Sequence, residues 1–295
     1  MAAPTLATRP GAPARAPAAA GRPRRSRSWV FHAVMMPLTL LWVAPRGFVV
    51  LISLRSFDDI TQRGLAAIPD SVSLDSFRTA IGTGGMARAL WISAQVTVPG
   101  VIITLLLASM AAYALSRHAI PLRRTVLLTM LAGNLLPPQI LLIPVARITE
   151  SVGVYDTVVG LIAIHVGFGL GFYTFVLHGF MRSIPTEITD AARIDGAGPA
   201  NVYARIILPL CRPSLAALAA LSTTWIFNDL IWSITVLRTQ AKFPVTAALL
   251  NLQGGYVSNW SVVAAGSILA AVPTALVFFA FQRHFVSGLL MGSSK

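Results

Sequence analysis

Lysine and cysteine are almost missing from this chain, and the two absences exclude different things. Lys242 and Lys295 are the only lysines in 295 residues, and neither follows a glycine. A phosphate-cradling loop needs G-x-x-x-x-G-K-[ST], because its lysine must reach the β- and γ-phosphates. The chain therefore cannot hydrolyse ATP by that machinery. Cys211 is the only cysteine, which excludes an internal disulfide and any metal site built on several thiolates. No histidine stands beside it to activate it as a nucleophile, so it reads as a small packing residue. There is no H-E-x-x-H, and His32, His118, His165, His178 and His284 are scattered without ligand spacing. His165 and His178 read as hydrogen-bonded packing groups before members of a proton relay.

Charge is scarce too. Only 11% of residues are charged and 55% are hydrophobic, with a mean hydropathy of +0.72. A soluble domain would carry about 25% charged residues. The composition implies an all-α, polytopic membrane protein. Residues 1–28 are rich in Ala, Pro and Arg and read as a disordered basic tail; residues 29–295 read as the membrane domain. Arg22, Arg24, Arg25 and Arg27 precede the first apolar run as in a signal peptide. The run is long and no A-x-A-like cleavage site follows it, which predicts an uncleaved first span.

A helix needs roughly 20 apolar residues to cross the hydrocarbon core. With charged residues as fences, 28 uncharged residues lie between Arg88 and Arg117, 22 between Arg124 and Arg147, and 25 between Asp156 and Arg182. Another 25 lie between Arg212 and Arg238, interrupted only by Asp229. Spans at about 29–54 and 261–282 complete six. If the N-terminus is inside, fifteen of the 23 Lys and Arg residues fall on the inner segments, and six of the ten acids fall outside. That bias predicts both termini in the cytoplasm. It reads the net charge of +13 as a topology signal and not as a nucleic-acid footprint, so no nucleic-acid partner is expected.

Several spans depart from plain rods. Pro137, Pro138 and Pro144 must kink or unwind the third, and freed backbone groups are tolerated where protein or water surrounds them. The glycines of the fourth, Gly160, Gly167, Gly169, Gly171 and Gly179, suit close helix packing. Asp229 in the fifth is the one acid inside a span. An unpaired carboxylate there costs at least about 2.5–3.5 kcal/mol, so it must face protein or water. Beside Asn228 it reads as a capping group in an interrupted helix; the alternative is an ion or proton site. Pro137, Pro138, Asn228 and Asp229 are the candidates for a translocation path.

Residues 183–212 carry the densest information. Pro185 suits a helix start, with Glu187 and Asp190 in its first turns, where acids favour the helix dipole. Asp190 and Arg193 can pair at i, i+3. Ile188, Ala191, Ala192 and Asp195 share a shallow face. Gly196 reads as a left-handed stop. Pro199 opens a second helix striped by Val202, Tyr203, Ile206 and Ile207, and Pro209 ends it. Two short helices at an angle on the inner face suit a docking surface for a cytoplasmic partner.

Asp190-Ala191-Ala192, Asp195-Gly196-Ala197, Tyr203, Ile206, Leu208-Pro209 and Pro213 resemble the EAA loop of ATP-binding-cassette importer permeases. "SVSLDSFRTA" (71–80), "LLPPQILLIPV" (135–145), "GVYDTVVGL" (153–161), "FNDLIWSI" (227–234) and "FQRHFVSGLLMG" (281–292) are similar, in order, to the sugar-importer branch. The nearest likeness is to its smaller, six-helix, maltose-type permease of the bacterial inner membrane. The resemblance implies a second permease, two ATPase subunits that bind ATP and Mg, and an external solute-binding protein. This chain itself would be no enzyme and hold no cofactor. Asp190, Ala191, Ala192, Asp195, Gly196, Ala197, Tyr203 and Pro209 would couple to the ATPase, and Gly254, Gly255 and Tyr256 would touch the binding protein. Asp190 departs from the family's glutamate, one methylene shorter. Two other classes remain at this point: a stand-alone ion-coupled carrier using Asp229, and a membrane enzyme, for which no nucleophile–base pair is visible.

Overall fold

The computed structural model describes the backbone of residues 26–253 and 259–291. The chain forms two compact units that meet between Gly47 and Phe48, inside the first helix, α1 (Ser26–Ser53). In the first unit α1 keeps its course through Pro37 and Pro45. Its apolar side chains, among them Trp29, Leu41 and Trp42, are exposed, as a lipid-facing helix requires. Arg46, the unexpected charge of this run, donates to the Trp42 carbonyl and lies 5.8 Å from the Trp42 ring centroid.

The second unit begins with a polar knot. Arg55 is fully buried, its Nε 2.6 Å from Asp59 Oδ2 and its Nη1 donating to the carbonyls of Gly64 and Leu65. Burial of a guanidinium is tolerable only with its donors satisfied, and here the short helix α2 (Phe57–Arg63) and its exit supply the acceptors. Arg63 pairs with Asp70 and Arg78 with Asp75. Helix α3 (Asp75–Ile81) follows, and Ser76 donates back to the Arg55 carbonyl.

The frame is a parallel pair, α4 (Met86–Arg117) and α7 (Val158–Ser183). Thr104 lies against Gly169, and Arg117 reaches the carbonyls of Met181 and Ile184, so both helices end on the same side. Parallel neighbours need a crossing between them. The chain supplies it in two pieces, α5 (Arg123–Ala132) and α6 (Pro138–Ser151). At 1.5 Å per residue these reach only about 15 and 21 Å, against a hydrocarbon core of about 30 Å. The stretch expected as a third span is thus broken into two helices, each too short to cross by itself. Pro137 and Pro138 cause it: proline pushes its predecessor out of helical conformation, and Pro138 then restarts the helix at its first turn, where no N–H is needed.

Gly171 holds this broken crossing against α7. A Cβ on Gly171 would lie 2.0 Å from the Met130 carbonyl oxygen. Backbone cannot yield as a side-chain tip can, so Gly171→Ala should cost about 2 kcal/mol or more, read as a lower midpoint in SDS unfolding. Gly167→Ala has open space and serves as the silent control. The expected helix-packing role of the α7 glycines therefore holds for Gly169 and Gly171, whose added Cβ would meet Thr104 of α4 and Met130 of α5; at Gly160 it would meet the Val154 carbonyl of the turn before α7, and Gly167 and Gly179 face open space.

The remaining elements are α8 (Thr186–Ile194), α9 (Pro199–Val202), a π turn (Tyr203–Ile207), α10 (Leu208–Leu210), α11 (Arg212–Phe227), α12 (Ile231–Val236), a 3-10 turn (Gln240–Lys242), α13 (Val245–Leu252) and α14 (Trp260–Met291). No strand occurs among the described residues. Among the described residues four helices are long and apolar enough to cross a membrane: Phe31–Ser53 of α1, α4, α7 and Trp260–Gln282 of α14. A fifth candidate is the pair Pro199–Leu210 and α11, bent by 74°.

Four apolar clusters of described residues fill the second unit, the smallest of them joining Ile52, Ile60 and Ala264. One, near the ends of α4 and α7, joins Ala108, Ala112, Leu177 and Met181 to Val202, Ile207 and Cys211. A central one gathers Val96, Leu161, Ile164, Ile226 and Trp232. The third, at the other end, joins Met86 and Ala89 to Phe227, Val245, Ala248 and Ala265.

Candidate functional site

Two places hold most of the described residues singled out by the sequence, and a third emerges only from the structure. The first is the elbow of α8 and α9. Pro185 precedes α8, and Gly196 adopts φ +83°, where a side chain is strained. Gly196 N–H donates to the Arg193 carbonyl at 3.0 Å and Ala197 N–H to that of Ala192 at 2.9 Å. This paired closure is the Schellman stop, and it turns the chain into the extended Gly198 and then α9. Asp190 and Arg193 approach to 3.4 Å on the exposed surface.

The face expected to carry Ile188, Ala191, Ala192 and Asp195 together divides. Ile188, Ala191 and Asp195 are exposed, whereas Ala192 joins Thr189 on the buried side, against the Met181–Ile207 cluster. Ala197 is half-buried against the same cluster. Ile194, which sequence reading passed over, is 87% exposed at the tip. Its signal was available: it is an isoleucine out of phase with the apolar stripe.

The second helix also differs from expectation. Val202 and Ile207 are buried and Tyr203 and Ile206 half-buried, as the stripe implied. Pro209 does not end the helix; it continues to Leu210 and turns only at Cys211. The π turn explains how. A proline ring clashes with the carbonyl four residues back and offers it no N–H. The widened turn, closed by Leu208 N–H on the Tyr203 carbonyl, relieves that position. Cys211 is buried in the cluster.

Tyr203 faces inward. Its hydroxyl is 2.7 Å from Ser109 Oγ on α4, and its ring lies 5.3 Å from that of Tyr113. Tyr113 in turn donates to the Pro199 carbonyl at 3.1 Å.

The second place is the interruption after α11. Asn228 is exposed and bonds its own helix through the Thr224 carbonyl. Asp229 Oδ1 accepts the Trp232 N–H at 3.2 Å, and Oδ2 accepts the Ser233 N–H and hydroxyl at 3.0 Å each. The carboxylate thus caps α12, and Thr246 closes on its backbone carbonyl. It also has a neighbour that sequence could not show: His165 Nε2 on α7 stands 3.7 Å from Oδ2, buried and without a hydrogen-bond partner. Phe168 stacks on Trp232 at 4.9 Å beside it. Pro137 and Pro138 are exposed at the break of the α5–α6 crossing. They do not meet the Asp229 cluster; an apolar cavity of about 440 Å³ lined by Met130, Asn134, Ile148, Ile164 and Phe168 lies between α5, α6 and α7.

The third place is the opposite end of the unit from the elbow. Asp156, at φ +53°, latches the loop before α7 to the loop after α12. Its Oδ1 accepts the N–H groups of Arg238 (2.8 Å) and Thr239 (3.1 Å); its Oδ2 accepts the Thr239 hydroxyl (2.6 Å) and the Lys242 ammonium (2.9 Å). Arg238 Nε adds a 2.7 Å bond to the Tyr155 hydroxyl. The Arg238 N–H first, then the Thr239 hydroxyl and N–H, hold the Asp156 carboxyl far below the usual carboxylate range. Next to the latch, Thr83, Arg88, Thr239, Gln240 and Asn251 line a cavity of about 950 Å³. Gly254, Gly255 and Tyr256 lie outside the described residues. Among the described residues no three His, Cys, Asp or Glu side chains converge as a metal site would.

Comparison with known proteins gives this arrangement its relatives. An alpha-glucoside transport system permease of Rhizobium meliloti is 37% identical over 78% of this chain, although the match spans only 62% of that protein. A permease for osmoprotective compounds in Synechocystis is 28% identical, covering 92% of this chain and 95% of its own. An arabinooligosaccharide permease of Halalkalibacterium halodurans is 29% identical over 91% and 96%. Among solved structures, a chain of a bacterial ABC transporter involved in alginate import superposes with a TM-score of 0.77. It is 22% identical and covers 90% of this chain and 99% of its own, so it shares the fold. Residues 104–290, more than half of the sequence, match the model of one family. The chain is a multi-pass inner-membrane protein and belongs to the binding-protein-dependent transport system inner membrane components.

Proposed function

We propose that this chain is one of two permease subunits of an ATP-binding-cassette importer for a sugar or sugar-like solute. The elbow carries the reading. Its two helices end in a glycine-closed turn that exposes Asp190, Ala191, Ile194 and Asp195, in a chain without a phosphate-binding loop. A protein that cannot split ATP needs a surface on which a partner's hydrolysis can act. In this reading the chain crosses the membrane six times, counting the broken α5–α6 pair and the bent α11 path, with both termini cytoplasmic. Two ATPase subunits hold ATP and Mg and receive the elbows of the two permeases. A solute-binding protein delivers at the opposite end, near the cavity beside Asp156.

The names of the relatives, permeases for alpha-glucosides, arabinooligosaccharides and osmoprotective compounds, support a carbohydrate or polyol substrate. The carrier reading built on Asp229 loses ground, because both carboxylate oxygens already accept helix-capping bonds. The test is assembly and stimulation. Purification through a tag on this chain should recover a second permease and an ATPase. The reconstituted complex should raise its ATPase rate with binding protein loaded from a panel of maltose, trehalose and arabinooligosaccharides. Uptake by this chain alone in liposomes, driven by an ion gradient, would overturn the proposal.

A further inference from the structure

The elbow is bound to the frame by more than apolar packing, and α4 holds it at both its entry and its exit. Arg117, at the end of α4, donates from one nitrogen to the carbonyls of Met181 and Ile184, both at 2.8 Å. That clamps the entry to α8 onto the end of α7. The exit of the elbow is held by α4 as well, through the Tyr113 hydroxyl on the Pro199 carbonyl and the hydrogen bond between the Tyr203 hydroxyl and Ser109. Tyr203 begins the π turn, the one stretch of this helix whose hydrogen bonds follow a second pattern. Π turns occur mostly at functional positions.

The path continues upward. Pro99 lies inside α4, where it removes one backbone hydrogen bond and invites bending. Gly100, next to it, lets Ile226 of α11 come within 3.1 Å of where a Cβ would stand. Ile226 precedes the Asn228–Asp229 interruption by two residues. A displacement of the lower part of α4 would therefore be felt at the break where α11 gives way to α12.

From this geometry we infer that Tyr203 and Tyr113 are positioning residues that pass movement of the elbow to α4 through the Tyr203–Ser109 and Tyr113–Pro199 hydrogen bonds. The inference rests on the proposed coupling of the elbow to an ATPase, and it assigns the transmitting step to two hydroxyl groups facing the protein interior. Neither hydroxyl needs to touch the ATPase. A residue on the docking surface would act by affinity for the partner. A residue behind that surface acts after docking, on how much of the movement reaches the pathway.

The test uses the whole complex in lipid nanodiscs, with binding protein loaded with the panel sugar that stimulates the unmodified complex most. Tyr203→Phe, Ser109→Ala, the double variant and Tyr113→Phe each remove a hydroxyl and little volume. Subunit recovery should match the parent, and each stimulated rate is read against the same variant's own basal rate. Stimulation by loaded binding protein should fall about 3- to 10-fold in Tyr203→Phe, the range of one hydrogen bond. The double variant should be no worse than the poorer single, because both remove one bond. Full stimulation in Tyr203→Phe and Tyr113→Phe, effects of Tyr203→Phe and Ser109→Ala that multiply, or loss of subunit recovery would each overturn the inference. Lost recovery would mark the bonds as merely structural. If the parent complex itself shows no stimulation, the coupling proposal fails instead, so the two failures are separable.

Discussion

Gly196→Trp should abolish most of the stimulation of ATPase activity by loaded binding protein, by roughly 10-fold or more, while the chain still inserts into the membrane. The position combines two properties. Its φ of +83° suits glycine, so any side chain brings about 1–2 kcal/mol of local strain. Its missing Cβ points to open space, with no atom within 4 Å, so a side chain there starts without a clash inside the chain. The bulk instead occupies the surface offered to the partner, between exposed Asp195 and the start of α9. A well-placed interface side chain is worth 2 kcal/mol or more, and a 1.4 kcal/mol loss is already tenfold. Gly196→Ala separates the two effects: it carries the strain without the bulk and should retain most of the stimulation. Stimulation at full strength in Gly196→Trp, measured beside equal subunit recovery, would end the docking account.

Asp156→Ala should destabilise the second unit by about 3 kcal/mol, read from SDS-titrated unfolding in mixed micelles. One carboxylate accepts four hydrogen bonds across more than 80 residues of sequence; its removal leaves two N–H groups and the Thr239 hydroxyl unanswered and leaves the Lys242 ammonium only the backbone carbonyl of residue 156. Asp156→Asn keeps an acceptor for the Arg238 and Thr239 N–H groups and should cost less than half as much. The pH dependence has a definite sign. The folded carboxyl titrates far below an ordinary aspartate, near 3.9 when unfolded. The latch therefore contributes in full above about pH 4, and its contribution fades only as pH falls toward the folded value. Wild type should show no latch-related loss between pH 5 and 8, and the gap between wild type and Asp156→Ala should narrow in strong acid. A gap that stayed constant to the lowest pH reached would mean that the carboxylate charge contributes nothing.

The difference between these two sites shows what a sequence can disclose. Gly196 was legible because its evidence is local: acids at a helix start, glycine at its end, proline opening the next helix. The Pro137-Pro138 break was legible for the same reason. Asp156 was not, since its partners lie 82 to 86 positions away and no periodicity records them. His165 and Asp229 likewise read as separate groups until α7 and the α11–α12 break brought them to 3.7 Å. Tyr203 was placed in the right segment and in the right stripe, but sequence could not tell that its hydroxyl reaches α4. Pro209 misled because the rule that proline stops a helix assumes an α-helix, and the π turn before it evades the rule.

The ion pairs give the second unit an electrical polarity. At the Asp156 end, Arg55, Arg63, Arg78 and Lys242 are each tied to an aspartate. At the elbow end, Asp190–Arg193 is the ion pair found among the described residues, while Arg123, Arg124, Arg182, Arg205 and Arg212 also belong to that end. Charges that cancel within a few ångströms leave little field beyond the screening length of about 8 Å at physiological salt. The four paired cations at the Asp156 end thus contribute little field beyond it. The elbow end keeps the larger positive excess, and in the orientation proposed above it would face the anionic headgroups of the inner leaflet.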